Sequence, residues 1–444
     1  MVAPLFLILV AGLSAGVVAY GTHPNWVQYN HGLEFILWSR RLQWPLVALS
    51  LIACVLLIGL AISGRRRAWW LIGLAPVLAL FAHRFTTGPA AGRMNAVENP
   101  VFVATDAANV GDDDWVVGVS FGDQTFAYPN AVLYASPIVI QADHDKRMML
   151  LWSAFANRAL ALSISREVRA RDLEVVSTPA NALLIYDGRL GTFINGLTAQ
   201  TMNHARPAGF GAALPTAKMP WKQWRTLHPE TRVLAPPANA SRGPAPTQPL
   251  LPAWPMPPMK LDRPITARVA MAGTMQPIAV ASETLTAAPL NTHADGEPIV
   301  LFREQPDAPI RAYDRHVNRP PNTPTPGVTP RPDMVLTFGP NLSPRKHPGA
   351  TLVDVDTASG WDAEGAWIDG PKDAKNMKGT RMDRVPVDDG VYWGVMKFWY
   401  PDALLEIAPA APIAVQPDRD PPETTPSPHR RTPRRSRTNA PQTR

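Results

Sequence analysis

Trp221-Lys222-Gln223-Trp224-Arg225-Thr226-Leu227-His228-Pro229-Glu230-Thr231-Arg232-Val233-Leu234 is answered near the end of the chain. The echo is Trp393-Gly394-Val395-Met396-Lys397-Phe398-Trp399-Tyr400-Pro401-Asp402-Ala403-Leu404-Leu405-Glu406-Ile407. In each stretch a tryptophan stands eight residues before a proline, and each follows an apolar-proline pair, Leu214-Pro215 and Val385-Pro386. Residues three apart share a helix face, so each stretch predicts a short helix. Its inner face carries Trp221 and Trp224 in the first case, Trp393 and Met396 in the second. Proline cannot continue a helix and pushes the residue before it toward extended backbone, so the helix ends there and a strand follows.

Upstream, each closing stretch has a matching opening. Val116-Val117-Gly118-Val119-Ser120-Phe121 and Gln124-Thr125-Phe126-Ala127-Tyr128-Pro129 flank Gly122-Asp123, which signals a hairpin. Arg268-Val269-Ala270-Met271-Ala272 and the run Met275 to Val280 flank Gly273-Thr274 in the same way. Matched openings and endings in one order predict two copies of a strand-rich unit, 95–235 and 265–407, packed as a pseudo-symmetric pair. Between them lies a proline-rich linker, Pro236–Pro264, and the second copy carries a proline-rich insertion, Arg319–Pro332. Beyond Ala408 the chain is Pro, Thr, Arg and Ser, a composition that predicts a disordered tail over 408–444.

Three apolar stretches precede the first copy: Val2–Tyr20, Trp44–Ser63 and Ala68–Phe85. Each approaches the ~20 residues that a helix needs to cross a bilayer, which predicts a three-span anchor over 1–90. Val2–Tyr20 has no Lys or Arg before it and no small-x-small cleavage site, so it reads as a span rather than a cleaved leader. Pro76 interrupts the third stretch. Arg65-Arg66-Arg67 is the densest cationic cluster near the spans and belongs on the cytoplasmic side. The body then lies in the periplasm or cell exterior. Arg40-Arg41 oppose this topology unless Leu33–Gln43 lies flat at the interface with its arginines reaching headgroups. The fold class is therefore N-terminal transmembrane helices followed by a β-rich α+β ectodomain of two tandem repeats.

Composition excludes several functions. Proline makes up 49 of 444 residues, about twice average usage, which rules out a helical bundle for most of the chain. A single cysteine rules out internal disulfides and Cys-rich metal centres. The net charge of +7 suggests nucleic acid until it is divided by region. Residues 1–100 hold seven Lys/Arg against two Asp/Glu, and residues 417–444 hold seven against three. Between them acids outnumber bases, so the body lacks the clustered cations that displace phosphate counterions. The expected partners are the lipid bilayer and a protein or cell-envelope component; nucleic acid and cofactors are not expected.

Several residues together resemble an uncharacterised bacterial family catalogued as domain of unknown function 3179. They are Val97-Glu98-Asn99-Pro100, the run from Asp112 to Val119, and Ala127-Tyr128-Pro129. Further on come Leu184-Ile185-Tyr186-Asp187, Trp221-Lys222-Gln223-Trp224 and His228-Pro229-Glu230-Thr231. The resemblance covers roughly Asn95 to Ile407. It implies a Trp-His-Glu after the Ala-Tyr-Pro strand and a Cys-Pro-x-Cys after the next apolar strand, residues suited to soft metals or thiol chemistry. Here the histidine position falls on Ser136 and the two cysteine positions on Ser153 and Ala156. Serine and alanine are neither thiolates nor soft ligands, so the implied site is vestigial and the chain reads as non-catalytic.

Other candidates are weaker. Asp143-His144-Asp145 could hold a divalent metal in place of the lost site, but its setting between two apolar runs favours a solvated turn. Asp112-Asp113-Asp114 lacks EF-hand spacing. A second-copy pocket could form around Asp354, Asp356 and Asp362. Ser153 could pair with His204 or His228, but no nucleophile elbow surrounds it. Trp152 and Trp361 could line a ligand groove, although matching aromatics in both copies favour core packing. The leading expectation is a membrane-anchored ectodomain that binds or scaffolds a partner; the alternative is a metal-binding protein or enzyme built on the Asp/His cluster.

Overall fold

The computed structural model describes residues 2–63, 68–86, 94–236, 245–285, 288–306, 308–317, 334–370 and 379–409. The Arg65-Arg66-Arg67 cluster, the Arg319–Pro332 insertion, Pro237–Pro244 of the linker and the tail beyond Pro409 lie outside the described residues.

Two N-terminal helices, α1 (Val2–Tyr20) and α3 (Gln43–Ser63), are long and apolar enough to cross a membrane, with α2 (Gly32–Arg41) between them. Ala11 and Ala15 on α1 meet Ala53 on α3, since small side chains let helix backbones approach. The third predicted span is not one long helix. It divides into a 3₁₀ segment, Ala68–Gly73, and α4 (Leu74–Thr86), 13 residues long and short of a bilayer's thickness. Pro76 falls in the first turn of α4, where its missing N–H costs nothing, so it starts this helix rather than interrupting a longer one.

Helix α2 departs from expectation too. Ile36 is fully buried against the β-rich body, in one cluster with Leu184, Phe193 and Trp393. Arg40 donates to Glu174 at 2.6 Å and lies 4.6 Å above the Tyr186 ring, while Arg41 lies 5.4 Å from the Phe193 ring. The two arginines therefore reach the body, where a carboxylate and two aromatic faces satisfy them, rather than headgroups.

The body holds several sheets. Strands β1 (Phe102–Val103), β2 (Trp115–Phe121), β3 (Gln124–Pro129), β4 (Thr216–Pro220) and β5 (Arg232–Leu234) form one, in the order β4-β2-β3-β5-β1. Strands β6 (Arg268–Ala272), β7 (Ile278–Ala281), β8 (Val387–Tyr392) and β9 (Leu405–Glu406) form another, in the order β8-β6-β7-β9. In both, a central antiparallel hairpin is flanked by an antiparallel strand on one side and a parallel strand on the other.

The predicted helices form as α5 (Trp221–Leu227) and α6 (Trp393–Trp399). Helix starts leave N–H groups without intrahelical partners. Here the chain just ahead of each hairpin accepts them. Trp221 and Lys222 donate to the Asp114 and Asp112 carbonyls at 2.7 and 2.9 Å; Trp393 and Gly394 donate to those of Ala267 and Ile265 at 2.8 and 3.0 Å. Trp221, Trp224, Trp393 and Met396 are buried. Gly118 is required beneath Trp224, because a Cβ there would stand 2.2 Å from the indole.

The first hairpin closes through the two-residue Gly122-Asp123 turn, with Gly122 at positive φ. The second does not close at Gly273-Thr274. Ala272 pairs with Ile278, so the loop is longer. The Asp295 carboxylate gathers the N–H groups of Thr274, Met275 and Gln276 at 2.7–3.0 Å and holds it open.

Sheet edges of the two halves meet at a buried carboxylate. Asp388 on β8 accepts the Ala159 N–H at 2.8 Å and faces Lys218 at 2.8 Å and Arg158 at 3.4 Å. Nearby, Asn157 donates to the Gly390 carbonyl at 2.9 Å. All three charged side chains are at most 6% exposed. Desolvation pulls the Lys218 ammonium below its ordinary value of 10.5, against the attraction of Asp388. Asp388→Asn is expected to cost about 3–5 kcal/mol in chemical unfolding, since two cations lose their counter-charge. The folded chain also releases the Lys218 proton at lower pH than the unfolded chain does. Stability should therefore climb with pH through the alkaline range up to about 10.5, and that slope should flatten in Lys218→Met.

Candidate functional site

The three positions expected to be vestigial all lie inside the protein: Ser136, Ser153 and Ala156 are 3%, 1% and 0% exposed. Ser136 follows the one-turn helix Asn130–Leu133. Ser153 ends the strand Lys146–Ser153, and Ala156 closes the single turn after it. The Ser153 hydroxyl accepts the Leu183 N–H at 3.1 Å. Ala156 packs in the apolar cluster of Ile36, Ala182, Leu184 and Trp393.

Between Trp152, Ser153, Phe155, Thr178, Asn181 and Leu183 a cavity of about 10 Å³ remains, room for one water molecule. The Trp152 indole N–H borders this space and has no hydrogen-bond partner among the described residues. Trp152 and Trp361, read as groove aromatics, are 1% and 0% exposed. Trp361 spends its indole N–H on Ser359 at 2.9 Å.

Two residues that line the cavity, Asn181 and Phe155, are held in turn by the segment expected to be a linker. Asn181, at φ 70°, accepts the Ala253 and Trp254 N–H groups at 2.7 and 2.8 Å and donates to the Trp254 carbonyl at 3.0 Å. The Trp254 ring meets Phe155 and His23 edge-on. Tyr392 and Trp393 bond to the Leu250 carbonyl and the Asp262 carboxylate at 2.8 Å each. Residues 245–264 are thus a strap bonded along its length, because Trp254, Met256 and Leu261 supply apolar anchors that the surrounding prolines cannot. Asn181 and Trp254 were missed; a lone tryptophan among prolines was the available signal.

The polar candidates disperse. His144-Asp145 forms the two-residue turn between Ile138–Asp143 and Lys146–Ser153. His144 Nδ1 lies 2.8 Å from Asp143 Oδ1, but the imidazole is 91% exposed. Asp112 and Asp114 lend carbonyls to the start of α5, and the Asp112 carboxylate meets Arg225 at 2.8 Å. Asp354 is buried and accepts from Thr337 and Thr357; Asp356 is exposed; Asp362 caps Ala366 at 2.7 Å. Among the described residues, no three His, Cys, Asp or Glu side chains are grouped so as to hold a metal ion. His228 packs on Trp224 and His204 on Tyr400, so neither histidine is bonded to Ser153.

The family model described as "Protein of unknown function (DUF3179)" matches residues 92–403. The chain belongs to this family. No curated protein and no solved structure matches it. This DUF3179 member carries, at Ser136, Ser153 and Ala156, two hydroxyls and a methyl group enclosed by core. Ser153→Ala should orphan the Leu183 N–H and lower stability by about 1–3 kcal/mol, measured by denaturant titration.

Proposed function

We propose that this DUF3179 chain is a non-catalytic binding or scaffolding body, held at the outer face of the cytoplasmic membrane by its N-terminal helices. The observation that carries this reading is the closure around Ser136, Ser153 and Ala156, where the resemblance implies a histidine and two thiols. Without thiolate, imidazole or open volume, neither soft-metal nor thiol chemistry has a place to occur.

The contacts of the helices support the sidedness. Tyr20, ending α1, stacks on His83 near the end of α4, and Arg40 in the α1–α3 connection pairs with Glu174 of the body. If α1 and α3 cross the bilayer and the 3₁₀ segment with α4, together roughly 30 Å long, returns across it, then that connection and the body share one side, and the end of α3 that leads into Arg65-Arg66-Arg67 lies opposite. The positive-inside rule then assigns the arginines to the cytoplasm and the body to the periplasm or exterior. Trp26, Trp38 and Trp44, exposed by 36%, 48% and 65%, suit the bilayer interface beside the body.

We also infer that the two halves are copies of one unit. Their matching strand orders and the equivalent carbonyls that receive the first N–H groups of α5 and α6 support this. Superposing 115–235 on 266–407 should lay Trp221 on Trp393.

A phosphatase reporter that folds only outside the cytoplasm, fused after residue 100, should be active; activity of a cytoplasmic reporter there would reverse the topology. Elemental analysis of the purified protein should find no stoichiometric zinc, copper or calcium. A bound metal would favour the alternative, a metal-dependent role centred on Asp143, His144 and Asp145.

A further inference from the structure

The helix ends that face the body meet at one level. Tyr20 closes α1 and stacks on His83 in the last turn of α4, with ring centroids 5.1 Å apart. Helix α3 begins on the same side, with Trp44 exposed in its first turn. Three arginines stand at this junction: Arg40 and Arg41 from α2, and Arg84 from the last turn of α4. The body satisfies the first two. Glu174 accepts from Arg40 with both carboxylate oxygens, at 3.3 and 2.6 Å. The Tyr186 and Phe193 rings, 5.2 Å apart, lie beneath Arg40 and Arg41. Arg84 is left over. It lies within electrostatic reach of Glu174 and Arg40, whose opposite charges offset one another. Among the described residues it forms no ion pair, since Glu174 is taken by Arg40, and its Nε–H is buried without an acceptor.

A half-buried cation left in this way calls for an anion. Three guanidiniums share one carboxylate here, because Glu34, the other acid of α2, is 69% exposed beside His31. Arginines near the outer ends of spans run against the cytoplasmic bias of cationic residues, and a buried donor without a partner is costly. The level of the junction selects the acceptor. Where α1 and α3 emerge from a bilayer, the phosphate layer begins. A phosphodiester presents two anionic oxygens that match the fork of a guanidinium. Further into the bilayer on the returning segment, Ile72 and Leu78 are 72% and 65% exposed and give acyl chains an apolar wall. A zwitterionic headgroup carries its own cation and adds no net charge, so an acidic headgroup complements the surplus better. Basic pockets between membrane helices recognise acidic lipids on the same grounds.

We propose that the junction of α4, α2 and the body binds an anionic phospholipid of the outer leaflet, with its phosphate held by Arg84 and its charge offsetting the surplus of Arg40 and Arg41. This names a lipid partner for the anchored body, and it rests on the reading that the N-terminal helices cross the membrane with the body outside.

The test places the full chain in nanodiscs of equimolar phosphatidylglycerol and phosphatidylcholine and reads the retained lipid by native mass spectrometry. The unaltered chain should keep phosphatidylglycerol in preference to phosphatidylcholine by about tenfold, the change expected from one charge-assisted hydrogen bond. Arg84→Gln should abolish that preference while native near-ultraviolet dichroism persists. Arg84→Lys, which keeps the charge without the fork, should fall between. If Arg84→Gln does not fold, the unaltered chain and Arg84→Lys decide the matter. Removing the opposite cluster with Arg65→Gln/Arg66→Gln/Arg67→Gln should leave the preference in place. Equal retention of the two lipids overturns the proposal. So does a preference that survives Arg84→Gln but is lost in the triple variant, which locates the lipid at the other leaflet. Displacement of the lipid by millimolar inorganic phosphate also overturns it, since the site would then take free phosphate. Fractionating cells separates the two readings: chain in the membrane without a lipid preference sinks only the lipid site, whereas chain in the soluble fraction sinks the anchor and the lipid site with it.

Discussion

A carboxylate removed from water between two cations fixes how the body is assembled. Asp388 is contributed by the second half and Lys218 and Arg158 by the first, and none of the three can reach solvent to relieve its charge. Such a cluster tolerates little displacement, because separating its members leaves bare charges in a medium of low dielectric. The strap then has a defined path, from Leu250 beside Tyr392 to Asp262 beside Trp393. Helix α2 finds a preformed apolar seat for Ile36. An excess of one positive charge inside the cluster makes it a device for specificity more than for raw stability, since hydrophobic side chains of equal volume would avoid the desolvation cost.

Local chemistry was readable from the chain itself. The Gly122-Asp123 hairpin, the two tryptophan-bearing helices and the strands after Pro229 and Pro401 each follow from residues within a few positions of one another. What escaped depends on distant partners. Nothing near Gly273 announces that Asp295 will collect three backbone N–H groups and lengthen the loop. Nothing near Asn181 announces that it will bind the backbone of Trp254. Proline content was misleading for 245–264: it measures how little a segment folds alone, not how well an extended segment lies across a surface already built.

The candidate site was legible in its identity and not in its state. Family resemblance singles out Ser136, Ser153 and Ala156, but only packing reveals that the hydroxyl of Ser153 is engaged by Leu183 and that Ala156 belongs to the same core as Trp393. Where a buried position carries only hydroxyl and methyl groups, no polar network sustains a hydrated pocket, and neighbouring side chains fill the volume.

Seating Ile36 in the same cluster as Phe193 and Trp393 packs α2 directly on the body. Were α1 and α3 to cross a bilayer, this packing and not a flexible stalk would set the distance of the body from the lipid. Shedding by a protease between residues 86 and 94 would cut the chain yet free nothing, because α2 would still grip the severed piece through its apolar face and its arginines.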